Sequence, residues 1–92
     1  MLAAADVRVR LSSSALAQDL GDELFILQMP QQRCYSLDAV GARVWSLLGE
    51  YGDVARTVQR ILLEYDVDPA IARADVSHLV NLLVAEGLVI LE

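Results

Sequence analysis

The segment Cys34–Trp45 constrains the fold more than any other part of this chain. Pro30 lacks the N–H that a strand ladder needs, so the chain is expected to turn around it and return as a strand over Arg33–Leu37. Asp38 follows at once, and an aspartate before an apolar-periodic run is a preferred helix N-cap. The segment therefore predicts a strand that passes directly into a helix beginning at Ala39, with strands before it and helices after it.

Three earlier segments have the character of strands. Val7–Leu11 alternates apolar residues with arginines, the period-two pattern of a half-buried strand, although its partner is not evident. Leu16–Leu20 is a candidate short strand, and Gly21-Asp22 is a tight turn after it. Glu23–Met29 carries apolar residues on both faces, which predicts a central strand covered on two sides and paired with Arg33–Leu37 as an antiparallel hairpin.

Three helices are predicted, each beginning at an aspartate. Asp38 caps a helix that runs to about Gly49, and Asp53 caps the second. Asp68 caps the third, with Pro69 at the first helical position, and Gly87 closes it. The apolar tail Leu88–Leu91 is expected to be extended and packed on the core. The expected fold is one winged-helix-like α+β domain over residues 1–92, with an N-terminal three-stranded antiparallel sheet followed by three α-helices.

Composition excludes several classes of protein. The net charge is −6, and all seven basic residues are arginine, a balance that repels phosphate backbones. No apolar run exceeds five residues, and the N-terminus lacks the order of a signal peptide, so neither a membrane span nor secretion is expected. Cys34 is the only cysteine, which suits the cytoplasm and excludes an internal disulfide. The hydrophobic fraction of 55% indicates either a rich core or an apolar surface that binds a partner.

A set of residues in one order carries a family resemblance: Cys34-Tyr35-Ser36-Leu37-Asp38, Gly41, Val44-Trp45, Leu47-Leu48, Tyr65, Asp75-Val76, Leu82-Leu83 and Gly87-Leu88-Val89. Together they resemble the PqqD-like family, also called RiPP recognition elements, in which Y-x-L-(N/D)-x-x-G-x-x-(I/V)-W precedes two further helices and a GL(I/V) ending. The resemblance covers roughly residues 20–90. The family often has Asn where this chain has Asp38, and either residue caps a helix.

The resemblance implies a non-catalytic protein without metal or cofactor that captures the leader segment of a ribosomally made precursor peptide. The leader would add as a strand to an exposed sheet edge and lie against the third helix. The implied partner is a biosynthetic enzyme. Pyrroloquinoline quinone assembly would supply a radical SAM enzyme and lasso-peptide biosynthesis a leader protease. The longer hairpin turn and the Y-x-L strand favour the lasso-peptide type.

Carried onto this chain, the resemblance implies an edge strand formed by Gln32, Arg33, Cys34, Tyr35, Ser36 and Leu37, and a groove wall formed by the helix from about Ile71 to Glu86. The helical wheel places a core face at Ala72, Val76, Leu79 and Leu83. Ile71 and Leu82 widen the apolar arc on one side, and Val80 and Val84 widen it on the other. We expect the peptide at the side that carries Ile71, Asp75, His78 and Leu82, next to Leu79. The alternative is that the flanking residues pack on the other two helices or on Leu88–Leu91.

Three other functions are weighed against peptide binding. A winged-helix DNA-binding protein shares the architecture, but Glu64–Glu92 contains six acidic residues and only one basic residue, Arg73. A structural subunit would bury its apolar excess in a homodimer. An enzyme is least favoured, because the sequence has no phosphate-binding Gly loop, no paired carboxylates in a recognisable site and no metal cluster. Cys34 and His78 could be imagined as a nucleophile and base, with Asp75 orienting the ring, but Cys34 lies in the middle of a strand without an activating helix N-terminus.

Overall fold

The computed structural model describes residues 7–29 and 31–92 as an α+β fold with antiparallel sheets and three helices. The strands are β1 (Val9–Leu11), β2 (Ala15–Asp19), β3 (Glu23–Gln28), β4 (Arg33–Asp38) and β5 (Val89–Leu91), and the helices are α1 (Ala39–Tyr51), α2 (Val54–Glu64) and α3 (Pro69–Ala85). The predicted passage from a strand directly into a helix at Ala39 is confirmed.

The predicted three-stranded antiparallel sheet is confirmed, with the order β2-β3-β4. The central position of β3 is confirmed as well. Pro30, to which the turn between β3 and β4 was assigned, lies outside the described residues. Within the described part of the chain, β2 and β4 each pair on one side only, so this sheet has two open edges.

The prediction that β3 is covered on both faces is wrong. Leu24 and Ile26 are buried under the helices, whereas Phe25 on the opposite face is 46% exposed and Leu27 is half-buried. The helices pack on one face of the sheet only. The opposite face, which we call the outer face, also carries Leu16 of β2 and Cys34 of β4 beside these residues, because Leu16, Leu27 and Cys34 lie in one register row.

β1, whose partner could not be identified from the sequence, pairs with β5. β1 and β5 form a separate two-stranded antiparallel sheet, in which Val9 lies opposite Leu91. The first strand was predicted from Val7 but begins at Val9, and Arg8 forms an isolated bridge with Asp53. The predicted extended tail is confirmed as β5.

Local side-chain chemistry sets the helix boundaries as predicted. The carboxylate of Asp38 accepts the N–H of Gly41 at 2.8 Å, and Asp53 and Asp68 cap α2 and α3 in the same manner. Pro69 occupies the first turn of α3. α1 continues to Tyr51, beyond the predicted end, because the first left-handed residue is Gly52 with φ 63°.

The core lies between the inner face of the three-stranded sheet and the helices, and it continues under the β1–β5 sheet. Its most buried side chains come from the three-stranded sheet, the helices, and the β1–β5 sheet with the residue before β5: Ile26, Leu47, Leu48, Leu88, Val9 and Val89. Trp45 is only 6% exposed and belongs to this core. α1 packs on β3 and β4, α2 packs on α1, and α3 packs on α2. This arrangement leaves a cavity with residues of β4 and α3 in its lining.

Candidate peptide-binding groove

An open cavity of about 720 Å³ lies beside the free edge of β4. We call it the β4–α3 groove. Its lining comes from β4, α1, α2, the loop after α2, and α3: Ser36, Leu37, Asp38, Val40, Gly41, Val44, Ile61, Tyr65, Asp66, Val67, Ala72, Asp75, Val76 and Leu79. The groove thus combines a strand edge, an apolar floor and a helical wall.

Hydrogen bonds at the two ends of the β2–β3 pair show which residues of β3 use their backbone groups to bond to β2. The N–H of Leu20 donates to the carbonyl of Glu23, and the N–H of Met29 donates to the carbonyl of Ser14, both at 2.9 Å. Ladder bonds of an antiparallel pair involve every second residue. The odd-numbered residues of β3 therefore bond to β2, and the even-numbered ones, such as Ile26, bond to β4.

The same alternation identifies the free groups of β4. The even-numbered residues Leu24 and Ile26 lie opposite Leu37 and Tyr35, so these two residues of β4 use their backbone groups in the ladder with β3. The N–H and C=O groups of Cys34 and Ser36 point the other way, towards the open edge. Such a row of unpaired groups is a template for an added strand.

Gly41 brings α1 unusually close to β4. A Cβ atom at this position would lie 3.2 Å from the Cβ of Leu37 and 3.3 Å from the capping oxygen of Asp38. The absence of a side chain lets the first turn of α1 pass directly beside the strand. This approach makes Val40 and Val44 part of the groove, a role that the sequence analysis did not give them because both fit the apolar stripe of α1.

The α3 residues favoured from sequence divide between the lining of the groove and the exposed surface next to it. Asp75 and Leu79 line the groove, and Ile71 and Leu82 lie next to them on α3, 55% and 51% exposed. His78 is exposed outside the lining. The other flank is not spare, because Val80 is buried and Val84 is half-buried against the core. Contact between these α3 residues and a peptide stays a prediction.

The predicted strand residues divide into four groups, of which the fourth, Arg33 and Tyr35, bonds to the end of α3. Ser36 and Leu37 line the groove. Cys34 is exposed on the outer face. Gln32 was predicted to begin the edge strand, but it lies in the turn before β4 with φ 59°, because the chain reverses there over four residues. The strand begins at Arg33.

Arg33 and Tyr35 bond within the protein, to Glu86 at the end of α3. The hydroxyl of Tyr35 donates to Glu86 Oε1 at 2.6 Å, and Arg33 lies 3.3 Å from the same oxygen. Gln28 donates its side-chain N–H to the Glu86 backbone carbonyl. The hydrogen bond to the Glu86 carboxylate raises the pKa of Tyr35. These contacts brace the hairpin of β3 and β4 against α3 and so help to set the width of the groove.

The groove places a strand edge beside apolar side chains. Among the described residues, no group of three or more His, Cys, Asp or Glu side chains could hold a metal ion. Cys34 lies on the outer face and does not line the groove, so the structure does not bring it together with His78 there. None of the described helices is long and apolar enough to cross a bilayer.

Two solved structures resemble this chain along most of its length. One is TbiB1 in complex with the TbiA(β) leader peptide, with a TM-score of 0.82, 30% sequence identity, and coverage of 87% of this chain and 93% of that one. The other is lasso peptide synthetase B1 complexed with the leader peptide, with a TM-score of 0.81, 20% identity, and coverage of 90% and 98%. No curated protein gave a significant match.

A family model gives the assignment. The model for coenzyme PQQ synthesis protein D matches residues 23–89. This range begins at β3, contains β4 and all three helices, and reaches the first residue of β5. Because the match includes both walls of the groove and most of the chain, the chain belongs to the PqqD family.

Proposed function

We propose that this chain binds the leader segment of a ribosomally synthesised precursor peptide and presents it to a biosynthetic enzyme. The observation that carries the proposal is the position of the open edge of β4 beside an apolar groove. A leader strand paired with Cys34 and Ser36 would direct every second side chain into that groove. The similarity to TbiB1, whose structure is a complex with a leader peptide, supports leader binding here at 30% identity. The longer hairpin turn and the Y-x-L strand favour lasso-peptide biosynthesis over pyrroloquinoline quinone assembly.

Two kinds of contact would provide affinity and selectivity. Backbone hydrogen bonds to the β4 edge do not depend on the leader's sequence. Apolar anchors of the leader would contact Leu37, Val40 and Leu79 in the groove. Ile71 and Leu82 would extend this apolar surface along the exposed side of α3. Selectivity would come from the anchors, because only they distinguish one leader from another.

The protein itself would perform no chemistry. By holding the leader, it would raise the local concentration of the attached core peptide near the active site of a partner, either a leader protease or a radical SAM enzyme. We propose this role for a single cytoplasmic domain spanning residues 1–92, with a winged-helix-like arrangement. The lone Cys34 fits a reducing compartment.

The two alternatives are weighed by charge and by exposed apolar surface. Binding of DNA through α3 is disfavoured, because the acidic residues from Glu64 onwards repel phosphates. Self-association has one observation in its favour, the outer face with its exposed Leu16 and Phe25. A homodimer through that face would leave the β4 edge free, so the two functions are compatible.

The test is a titration with the fluorescently labelled leader peptide of the precursor encoded next to this chain's gene, read by anisotropy. Ser36→Pro removes one free N–H from the β4 edge without removing a ladder bond to β3, so we expect loss of binding with the fold kept. Ser36→Ala keeps the N–H and tests the side chain alone. We expect it to bind as the wild-type chain does.

Ala17→Pro is the matched control on the other open edge. Ala17 lies on β2, is exposed, and by the same alternation directs its N–H away from β3. We expect this variant to keep full affinity. Strand addition at β4 is wrong if the Ser36→Pro variant, folded by circular dichroism, binds the leader as tightly as the wild-type chain. Loss of binding in Ala17→Pro alone would move the site to β2.

A further inference from the structure

The charged residues that line the β4–α3 groove all have one sign. Asp38, Asp66 and Asp75 contribute carboxylates to the lining, and none of the chain's seven arginines lines the groove. The rest of the lining is apolar or neutral. A peptide in this groove therefore enters a negative potential.

Six of the seven arginines contact other groups among the described residues. Their contacts are Arg8 with the Gly52 carbonyl, Arg10 with Glu92, Arg33 with Glu86, Arg43 and Arg60 with Glu64, and Arg56 with the ring of Tyr51. Arg73 lies on α3 outside the groove lining. Within the described part of the chain, no cation neutralises the carboxylates of the groove.

The three aspartates are not equivalent. Asp38 is committed to the fold, because its carboxylate accepts the N–H of Gly41 and compensates the N-terminus of α1. Asp66, in the loop after α2, and Asp75, on α3, make no hydrogen bond or ion pair with the described residues. Both are exposed, and both line the same groove as Ser36. They are the carboxylates that a ligand can reach.

We propose that Asp66 and Asp75 select a leader that carries a lysine or arginine at the part of its bound strand next to Ser36. This inference rests on the proposed function and specifies the chemistry of the peptide. An acidic side chain at that position would be repelled, so the pair also excludes wrong leaders. The apolar floor and the two carboxylates together favour a leader segment in which apolar anchor residues lie next to a basic residue.

The experiment uses the full chain and the labelled leader of the neighbouring precursor gene. Asp66→Asn and Asp75→Asn should each raise the Kd about threefold, the size of effect expected for a partly exposed ion pair. Added salt should weaken binding to the wild-type chain more than binding to the double variant. Asp22→Asn is the matched control, because it changes the net charge equally at an exposed turn outside the groove and should leave the Kd unchanged.

A second arm changes the peptide. Replacing the lysines and arginines of the leader by glutamine, one at a time, should identify one position that weakens binding to the wild-type chain but has no further effect on the Asp66→Asn, Asp75→Asn double variant. The inference is overturned if Asp75→Asn and Asp66→Asn behave like Asp22→Asn, or if the bound segment contains no basic residue. In both of those cases the leader still binds and the proposed function stands. Failure of the wild-type chain to bind the leader overturns the proposed function instead.

Discussion

Two arginines hold the pKa of Glu64 well below its ordinary value. Its carboxylate accepts hydrogen bonds from Arg43 of α1 at 2.6 and 2.7 Å and from Arg60 of its own helix at 2.8 Å. These bonds, first that of Arg43 and then that of Arg60, lower the pKa of Glu64 from 4.5 to about 2. The ionised carboxylate of Glu64 therefore connects α2 to α1 through its ion pair with Arg43.

This shift predicts a specific acid sensitivity. The pKa of Glu64 is lower in the folded state than in the unfolded state, so protonation favours unfolding. The stabilisation is complete above the unfolded pKa of 4.5 and is lost as the pH falls towards about 2.

Glu64→Gln should lower the urea midpoint at neutral pH and should show a smaller further loss of stability on acidification than the wild-type chain. Asp22→Asn is the control, since Asp22 is exposed and makes no hydrogen bond or ion pair with the described residues. A difference between Glu64→Gln and the wild-type chain that stays constant down to about pH 2 would contradict the assignment.

Single residues also show where sequence interpretation stops. Arg33 and Tyr35 belong to a strand expected to contact a peptide, and their type is suited to that role. Their partner Glu86 is 53 and 51 positions away in sequence, and nothing local marks the pairing. Ser36, Leu37, Asp75 and Leu79 could be placed in one groove because the family resemblance supplied the long-range relation that local patterns lack.

At the scale of elements, Gly52 joins the end of α1 to β1. It is left-handed at φ 63°, its N–H donates to Leu48, and its carbonyl accepts the N–H of Val9 at 3.1 Å. A Cβ atom at this position would lie 3.1 Å from the Val9 carbonyl oxygen. We expect Gly52→Ala to lower the free energy of unfolding by about 1–2 kcal/mol, measured by urea denaturation.

Gly21→Ala separates the two causes of that loss. Gly21 also has a positive φ, 97°, but no atom lies within 4 Å of the added Cβ, so this change tests backbone strain alone. Gly21→Ala should act through the backbone alone, whereas Gly52→Ala should also weaken the hydrogen bond from the Val9 N–H to the Gly52 carbonyl and speed the amide exchange of Val9. Unchanged exchange of Val9 in Gly52→Ala would show that the close approach of β1 contributes nothing.

The elements that the sequence predicted correctly are those set by local chemistry. Asp38, Asp53 and Asp68 each precede an apolar-periodic run, and each caps a helix. The failures are non-local. The partner of β1 lies near the other end of the chain, and the apolar run in β3 gave no sign that the described residues would leave its second face largely uncovered.

At the scale of the whole molecule, the β1–β5 sheet closes the fold by joining distant parts of the chain. Leu88, just before β5, is fully buried, whereas Leu91 at the end of β5 is 56% exposed. We expect Leu88→Ala to lower the free energy of unfolding by about 2–4 kcal/mol, a large share of the stability of a small domain. Leu91→Ala should change it by less than about 0.5 kcal/mol in the same urea titration. Comparable losses would mean that the closing sheet is not packed as described.

The alternation of free and paired groups along β4 has a consequence for any strand that joins it. Only the even-numbered residues of β4, such as Cys34 and Ser36, direct their backbone groups to the edge, so an added strand can slide along β4 only in steps of two residues. The side chains that enter the groove then all have the same parity in the peptide's own numbering. Two anchors separated by an even number of positions reach the groove together, and a single inserted residue between them turns one anchor to the opposite side. The edge of β4 would thus select peptides in which an even number of positions separates the anchor residues, whatever those residues are.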